Sequence, residues 1–141
     1  MKVLTAAQIE KIHHVIIRNI GGSQTLRNPS ILGFTLNYIK NNKEDLLTNA
    51  AVLLRNITVN EPFLDRNMII GFIAADVLLR MNGWYIRAMS LKYLEQLHTK
   101  SLQDIAKTID HSLAELEEKK EFNENLKISL SYNLESLRQL L

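Results

Sequence analysis

No cysteine occurs in the chain. Disulfides, thiolate metal sites and cysteine nucleophiles are therefore excluded, and a bacterial or archaeal cytoplasm suits the composition. Two prolines and five glycines are all that interrupt the chain, which leaves long stretches free to run as helices. No segment approaches the roughly eighteen unbroken apolar residues of a membrane span. The opening residues lack a charged stretch followed by a long apolar one. A soluble, unprocessed, cytoplasmic protein with no membrane partner is expected. Charge of one sign is lacking as well: 17 basic residues face 15 acidic ones, a net of +2. No basic run is available to neutralise a phosphate backbone, so nucleic acid is not an expected partner. The Asn56-Ile57-Thr58 triplet has meaning only on a secretory route, and such triplets often arise by chance.

What the chain does have is apolar content, 46% of 141 residues, enough for one sizeable core. Residues 1–117 are read as one helical domain. Residues 118–141 form a C-terminal amphipathic helix, either part of the same unit or an interface. Apolar residues recur at spacings of three and four rather than two, which predicts an all-α fold. Thr5 and Gln8 have capping-box spacing, and a first helix with Ile9, Ile12, Ile16 and Ile20 on one face ends at Gly21-Gly22. Asn28-Pro29 begins a second helix reaching residue 39, and Asn41-Asn42-Lys43 turns the chain. A third helix spans about 44–57. After a loop over 58–65 comes a segment at 68–81 that is apolar all round except for Asp76 and Arg80, the profile of a buried central helix, closed by Asn82-Gly83. Further helices are predicted at 89–97, at 102–117 after a Ser101 cap, and at 123–141. The acidic-basic run 115–121 reads as a solvated helix surface or hinge.

Chemistry concentrates in the loop before the central helix, Glu61-Pro62-Phe63-Leu64-Asp65-Arg66-Asn67-Met68-Ile69-Ile70-Gly71. A loop that feeds a buried helix N-terminus is a ready anion site, because free amides and the helix dipole point at it. This string resembles the Doc/Fic (death-on-curing) motif HPFxDGNKRTG, with Pro62, Phe63, Asp65, Asn67 and Gly71 in register. Upstream, Leu4-Thr5, Ile12-His13 and GGSQTLRNPSIL resemble that family's N-terminal pattern. Downstream, AADVLLRMNGW resembles its central helix. The resemblance covers roughly residues 4 to 87. It implies a compact helical bundle of the Fic/Doc type, here with an extra C-terminal helix, and a strand pairing within that stretch beyond a short flap-like hairpin would count against it.

Active members of the family transfer AMP or phosphate from a nucleotide to a protein hydroxyl. Their motif histidine acts as base, the acidic residue holds magnesium, and the asparagine and basic residues hold phosphates. By resemblance, Glu61 stands at the catalytic histidine, Asp65 at the metal ligand, and Arg66 and Asn67 in the phosphate loop. The match breaks where the chemistry lies. A carboxylate replaces a base that is neutral near pH 7. Arg66 fills the space of a glycine. Met68, Ile69 and Ile70 replace lysine, arginine and threonine, and the pocket shifts by about two negative charges. Phosphoryl transfer rests on positioning and charge neutralisation, so the expected protein is catalytically degenerate. It would act by protein binding or regulation, within a toxin-antitoxin type of system, on a protein or antitoxin-like partner and with no cofactor. The alternative is a divergent transferase that uses ATP and magnesium through Glu61, Asp65 and Asn67. The connection between the second and third helices is several residues too short for the family's target-positioning flap.

His13, His14, His98 and His111 do not form a metal-ligand spacing, and partly buried helix histidines are the expectation. Ser131 to Glu135 fits the first part of an S/TxxxEG or S/TxxxEN inhibitory pattern known in Fic proteins, but Ser136 follows. Leu126, Leu130, Leu134, Leu137 and Leu141 form a stripe that must be covered, either by the domain itself or by a second copy of the chain.

Overall fold

The computed structural model describes residues 1–42 and 45–141. Helix α1 (Ala6–Ile20) starts from a reciprocal capping box: the Gln8 amide donates to Thr5 Oγ1 at 3.1 Å, and the Thr5 amide donates to Gln8 Oε1 at 2.9 Å. It buries Ile9, Ile12 and Ile16 and stops at Gly21, whose φ is +81°. Helix α2 (Pro29–Asn41) has proline in its first turn, where no amide partner is needed. The predicted turn at Lys43 and the predicted start at Glu44 lie outside the described residues. Helix α3 (Leu46–Asn60) is capped by Asp45, which accepts from the Thr48 amide at 3.1 Å. The Thr48 hydroxyl, followed by its amide, holds the Asp45 carboxyl below its ordinary range. Only residues 42–45 separate α2 from α3.

Helix α4 (Asn67–Met81) is buried at every position except Met68, as its all-round apolar sequence requires. Helices α1 and α3 pack against it, and α2 packs on α3. The α3–α4 approach depends on Gly71. A Cβ there would sit 2.9 Å from Thr58 Oγ1 and 3.1 Å from the Leu54 carbonyl oxygen.

Beyond α4 the helix-only expectation needs correction. Strand β1 (Trp84–Ile86) pairs antiparallel with β2 (Leu113–Glu115), with Tyr85 opposite Ala114. One strand of this pair lies within residues 4–87 and its partner, 113–115, lies beyond them, so no pairing is closed within that stretch by these strands, and the described residues remain mostly helical. Three residues are too few to show a period of two, and Leu-Ala-Glu has no strand preference of its own. The pairing is fixed from outside: the Ile86 amide donates to the buried Asp76 Oδ1 at 2.9 Å. Between the strands lie α5 (Leu91–Glu95), a 3-10 turn at Leu97–Thr99, and α6 (Leu102–His111), which packs on α3. The helix predicted at 89–97 is thus shorter. The one predicted at 102–117 ends six residues early because 113–115 join the sheet, and the run 115–121 is not a helix surface.

Helix α7 (Phe122–Leu137), followed by a 3-10 turn at Arg138–Leu140, lies along α4. Phe122, Leu126 and Leu137 enter the common core, Leu130 and Leu134 pack on its edge, and Leu141 is exposed. Burial of each such side chain contributes about 2 kcal/mol. The leucine stripe is therefore divided: its two most buried members, Leu126 and Leu137, are covered by the chain itself.

A buried polar knot fastens α7. Asp76 Oδ2 accepts from Arg80 Nε at 2.7 Å, from Ser129 Oγ at 2.6 Å and from Asn133 Nδ2 at 3.1 Å. Asp76 and Arg80 are 0% and 4% exposed. A carboxylate so deep is tolerated only when its charge and lone pairs are met, and one side chain thereby joins α4, β1 and α7. Among the described residues, no helix is long and apolar enough to cross a membrane.

Candidate functional site

The segment 61–66 links the end of α3 to the start of α4 and is bracketed by two non-glycine residues in left-handed backbone conformations. Glu61 has φ +49° and Arg66 has φ +64°. Glu61 occupies the C-terminal cap of α3, where that conformation ends a helix. Arg66 occupies the N-terminal cap of α4 and supplies no side-chain cap bond. A side chain in this conformation costs about 1 to 2 kcal/mol, so the loop holds an arginine where the backbone favours glycine.

The loop is pinned to the segment that follows α1. The Pro62 carbonyl accepts from the Arg27 and Asn28 amides at 2.8 and 2.9 Å, and the Leu64 amide donates to the Thr25 carbonyl at 3.1 Å. Phe63 is fully buried, its ring stacked on His13 with centroids 4.2 Å apart. The Asn67 side chain closes on the main chain of Phe63, accepting from its amide at 3.0 Å and donating to its carbonyl at 2.9 Å. Asp65 accepts from the Ser23 amide through both oxygens, at 3.2 and 3.1 Å. Gly22, with φ +126°, makes that approach possible, since a Cβ there would lie 2.7 Å from Asp65 Oδ1. Arg66 Nε donates to the Gly21 carbonyl at 3.1 Å.

The four residues singled out from the sequence thus meet in one place. Glu61, Asp65, Arg66 and Asn67 all line a cavity of about 320 Å³ at the start of α4, and Leu140 and Leu141 also form part of its wall. Their side chains are nevertheless engaged elsewhere. Asn67 holds the loop backbone, Asp65 holds the Gly21-Gly22-Ser23 turn, and Glu61 forms an ion pair of 2.5 Å with Arg27. Both partners of that pair are about half exposed (55% and 50%), and such pairs contribute about 1 kcal/mol or less. At the positions that the resemblance aligns with lysine and arginine, Met68 is half-buried and Ile69 is 2% exposed. Ile70 is the first amide of α4 bonded to backbone, to the Arg66 carbonyl at 3.0 Å. The amides of Asn67, Met68 and Ile69 have no acceptor among the described residues. Among those residues no three histidine or acidic side chains converge, so Glu61 and Asp65 gain no third ligand from the protein.

Sequence reasoning missed three participants. Arg27, the partner of Glu61, entered only as part of a longer pattern, and no local signal ties it to residue 61. Ser23 acts through its amide, which side-chain chemistry does not advertise; the adjoining glycine pair was the available clue. His13 is the one histidine against the loop. Its Nε2 lies 3.0 Å from the Ser23 carbonyl and donates to it, and burial, the largest influence, lowers its pKa from the ordinary value. A neutral histidine with that nitrogen committed is a structural wedge beneath Phe63 rather than an exposed base. No protein-family model and no curated protein matches the chain.

Proposed function

We propose that this protein is a Doc/Fic-like scaffold that has lost transfer chemistry and acts in the cytoplasm by binding another protein, an antitoxin-like partner or a regulated target. One observation carries the reading. The motif positions retained in the sequence are those with structural duties: Phe63 is buried, Asn67 clamps the loop, Asp65 fixes the glycine turn, and Gly71 admits α3. The positions of the base and the phosphate-binding cations hold Glu61, Met68 and Ile69, of which the first is tied to Arg27 and the last is buried. A loop held firmly by its own side chains and lacking those cations suits recognition. Leu64 on the loop and Leu26 on the segment bridged to it at Phe63 are 54% and 37% exposed. Self-association through the leucine stripe is less favoured, because Leu126 and Leu137 are covered within the chain.

A second reading, a divergent transferase of AMP or phosphate, draws support from the uncapped α4 amides beside the cavity, an arrangement that accepts anions. Calorimetric titration with ATP and magnesium separates the two. Affinity weaker than about 1 mM is the expected result, whereas micromolar affinity would overturn the non-catalytic reading.

A further inference from the structure

The outer face of α2 is left uncovered by the described residues. Leu32, Thr35 and Ile39 are buried, while Phe34 and Tyr38, one helical turn apart, are 78% and 46% exposed. Beside Phe34 runs an open groove walled by Ser30, Gly33, Phe34 and Asn37. Gly33 makes the groove. A Cβ placed there meets nothing within 4 Å, so the absent side chain leaves its space on the outside of the helix and relieves no contact within the fold. A projecting ring and a gap thus lie side by side on one helix face.

Charge and symmetry name the occupant. From Pro29 to Asn41 the one charged residue is Lys40, so an acidic or basic partner finds little to pair with. Nor does the helix carry the several lysines and arginines that hold an amphipathic helix on a lipid surface. What the face matches is itself. When two copies of α2 are laid antiparallel about a twofold axis between Gly33 and Phe34, the Phe34 ring of each meets the Gly33 gap of the other. The same axis sets Ser30 opposite Asn37 and the exposed Pro29 opposite Tyr38. Ser30 Oγ donates to Asn28 Oδ1 at 2.6 Å, which keeps its lone pairs for the exposed Asn37 amide of the second copy. All four residues of the groove are then paired among themselves, as a twofold interface requires. We propose that this protein forms an antiparallel homodimer through the outer faces of α2, with Phe34 of each copy seated on Gly33 of the other. Area sets its strength: at about 200 Å² for a whole aromatic side chain, the exposed parts of Phe34 and Tyr38 supply roughly 250 Å² per copy. A single helix pair on that scale falls below the roughly 1,200 to 2,000 Å² of stable complexes, which places the Kd at about 10 to 100 µM. The surface is separate from the loop at α4 and does not rest on the function proposed for that loop.

Sedimentation of the full chain between about 5 and 500 µM reads the association directly. A rise from the 16.2 kDa monomer toward twice that mass is expected, and a monomer at every concentration would overturn the proposal. Two substitutions at exposed positions then separate this pairing from a merely adhesive face. Phe34→Asp removes the ring and is expected to weaken the dimer by more than about tenfold while the folded circular dichroism spectrum is kept. Gly33→Leu adds apolar surface yet fills the gap, at a place where the fold has room for a side chain. It is expected to weaken the dimer by a similar factor. A dimer that survives Phe34→Asp, or that is as tight or tighter in Gly33→Leu, would show that the ring and the gap do not meet. The absence of native cysteine lets orientation be read as well. Oxidation of an equal mixture of Ser30→Cys and Asn37→Cys chains is expected to give mainly the mixed disulfide dimer, and a statistical distribution of the three dimers would overturn the antiparallel arrangement.

Discussion

The Ser129 hydroxyl donates to Asp76 Oδ2 at 2.6 Å across 53 residues of sequence. This contact and the neighbouring Asn133 bond make α7 a partner of α4 in polarity as well as in apolar packing. Replacing Asp76 by alanine leaves Arg80 as an unpaired buried charge and is expected to cost about 3 to 5 kcal/mol. Ser129→Ala removes one donor of several and is expected to cost about 1 to 2 kcal/mol. Urea denaturation checks both, and equal losses for the two variants would contradict the picture of Asp76 as the hub.

The left-handed backbone of Arg66 gives a stability test at the candidate site. Arg66→Ala and Arg66→Gly lose the same bond to Gly21, but only glycine is at ease at φ +64°. The glycine variant is expected to be more stable than the alanine variant by about 1 kcal/mol. Thermal melts of the pair measure the difference directly, and an alanine variant of equal stability would show that the conformation carries no strain.

Acid should weaken the fold through His13. Its pKa is lowered in the folded state, first by burial, so the unfolded chain takes up the proton more readily. The contribution of neutral His13 is fully present above the unfolded value, near pH 6.5. It is lost as the pH falls from there through the lowered folded value. The expected outcome is a Tm that declines below pH 6.5 in the native chain and declines less in His13→Gln. An NMR titration giving His13 an ordinary or raised pKa would remove the basis for this.

Introducing the Doc/Fic motif that the loop resembles separates tolerated changes from disruptive ones. Glu61→His, Arg66→Gly and Met68→Lys fall at exposed or half-buried positions and should leave a folded protein. Adding Ile69→Arg places a charge where a side chain is 2% exposed and is expected to cost several kcal/mol, about 3 or more. Circular dichroism melts of the triple and quadruple variants distinguish the two cases. A quadruple variant as stable as the triple would mean that position 69 reaches solvent.

The start of α1, the burial of α4 and the place of the loop were legible because each depends on local rules: a capping pair, an apolar stripe, a glycine. The strand pair was hidden, because Leu113 to Glu115 become a strand only when Trp84 to Ile86 lie beside them and Asp76 receives the Ile86 amide. The same limit applies at the site. Glu61, Asp65, Arg66 and Asn67 could be placed together from their order, but the groups that occupy them, Arg27 and the Ser23 amide, come from a segment brought close only by folding. Asp76 and Arg80 stood out as breaks in an apolar helix, yet their partners on α7 are more than forty positions away, beyond any periodic signal.

The position of α7 also bears on how the chain is made. Asp76 is synthesised 53 residues ahead of Ser129 and 57 ahead of Asn133, an interval of roughly 3 to 11 s at about 5 to 20 residues per second. Throughout it, α4 is apolar on every side and lacks the helix that covers one of them. A nascent chain in that condition cannot settle into its final state as it emerges. It should dwell as a loose, chaperone-accessible intermediate until the last helix arrives, so its yield in a cell should respond to translation speed and chaperone supply more than the modest size of the protein suggests.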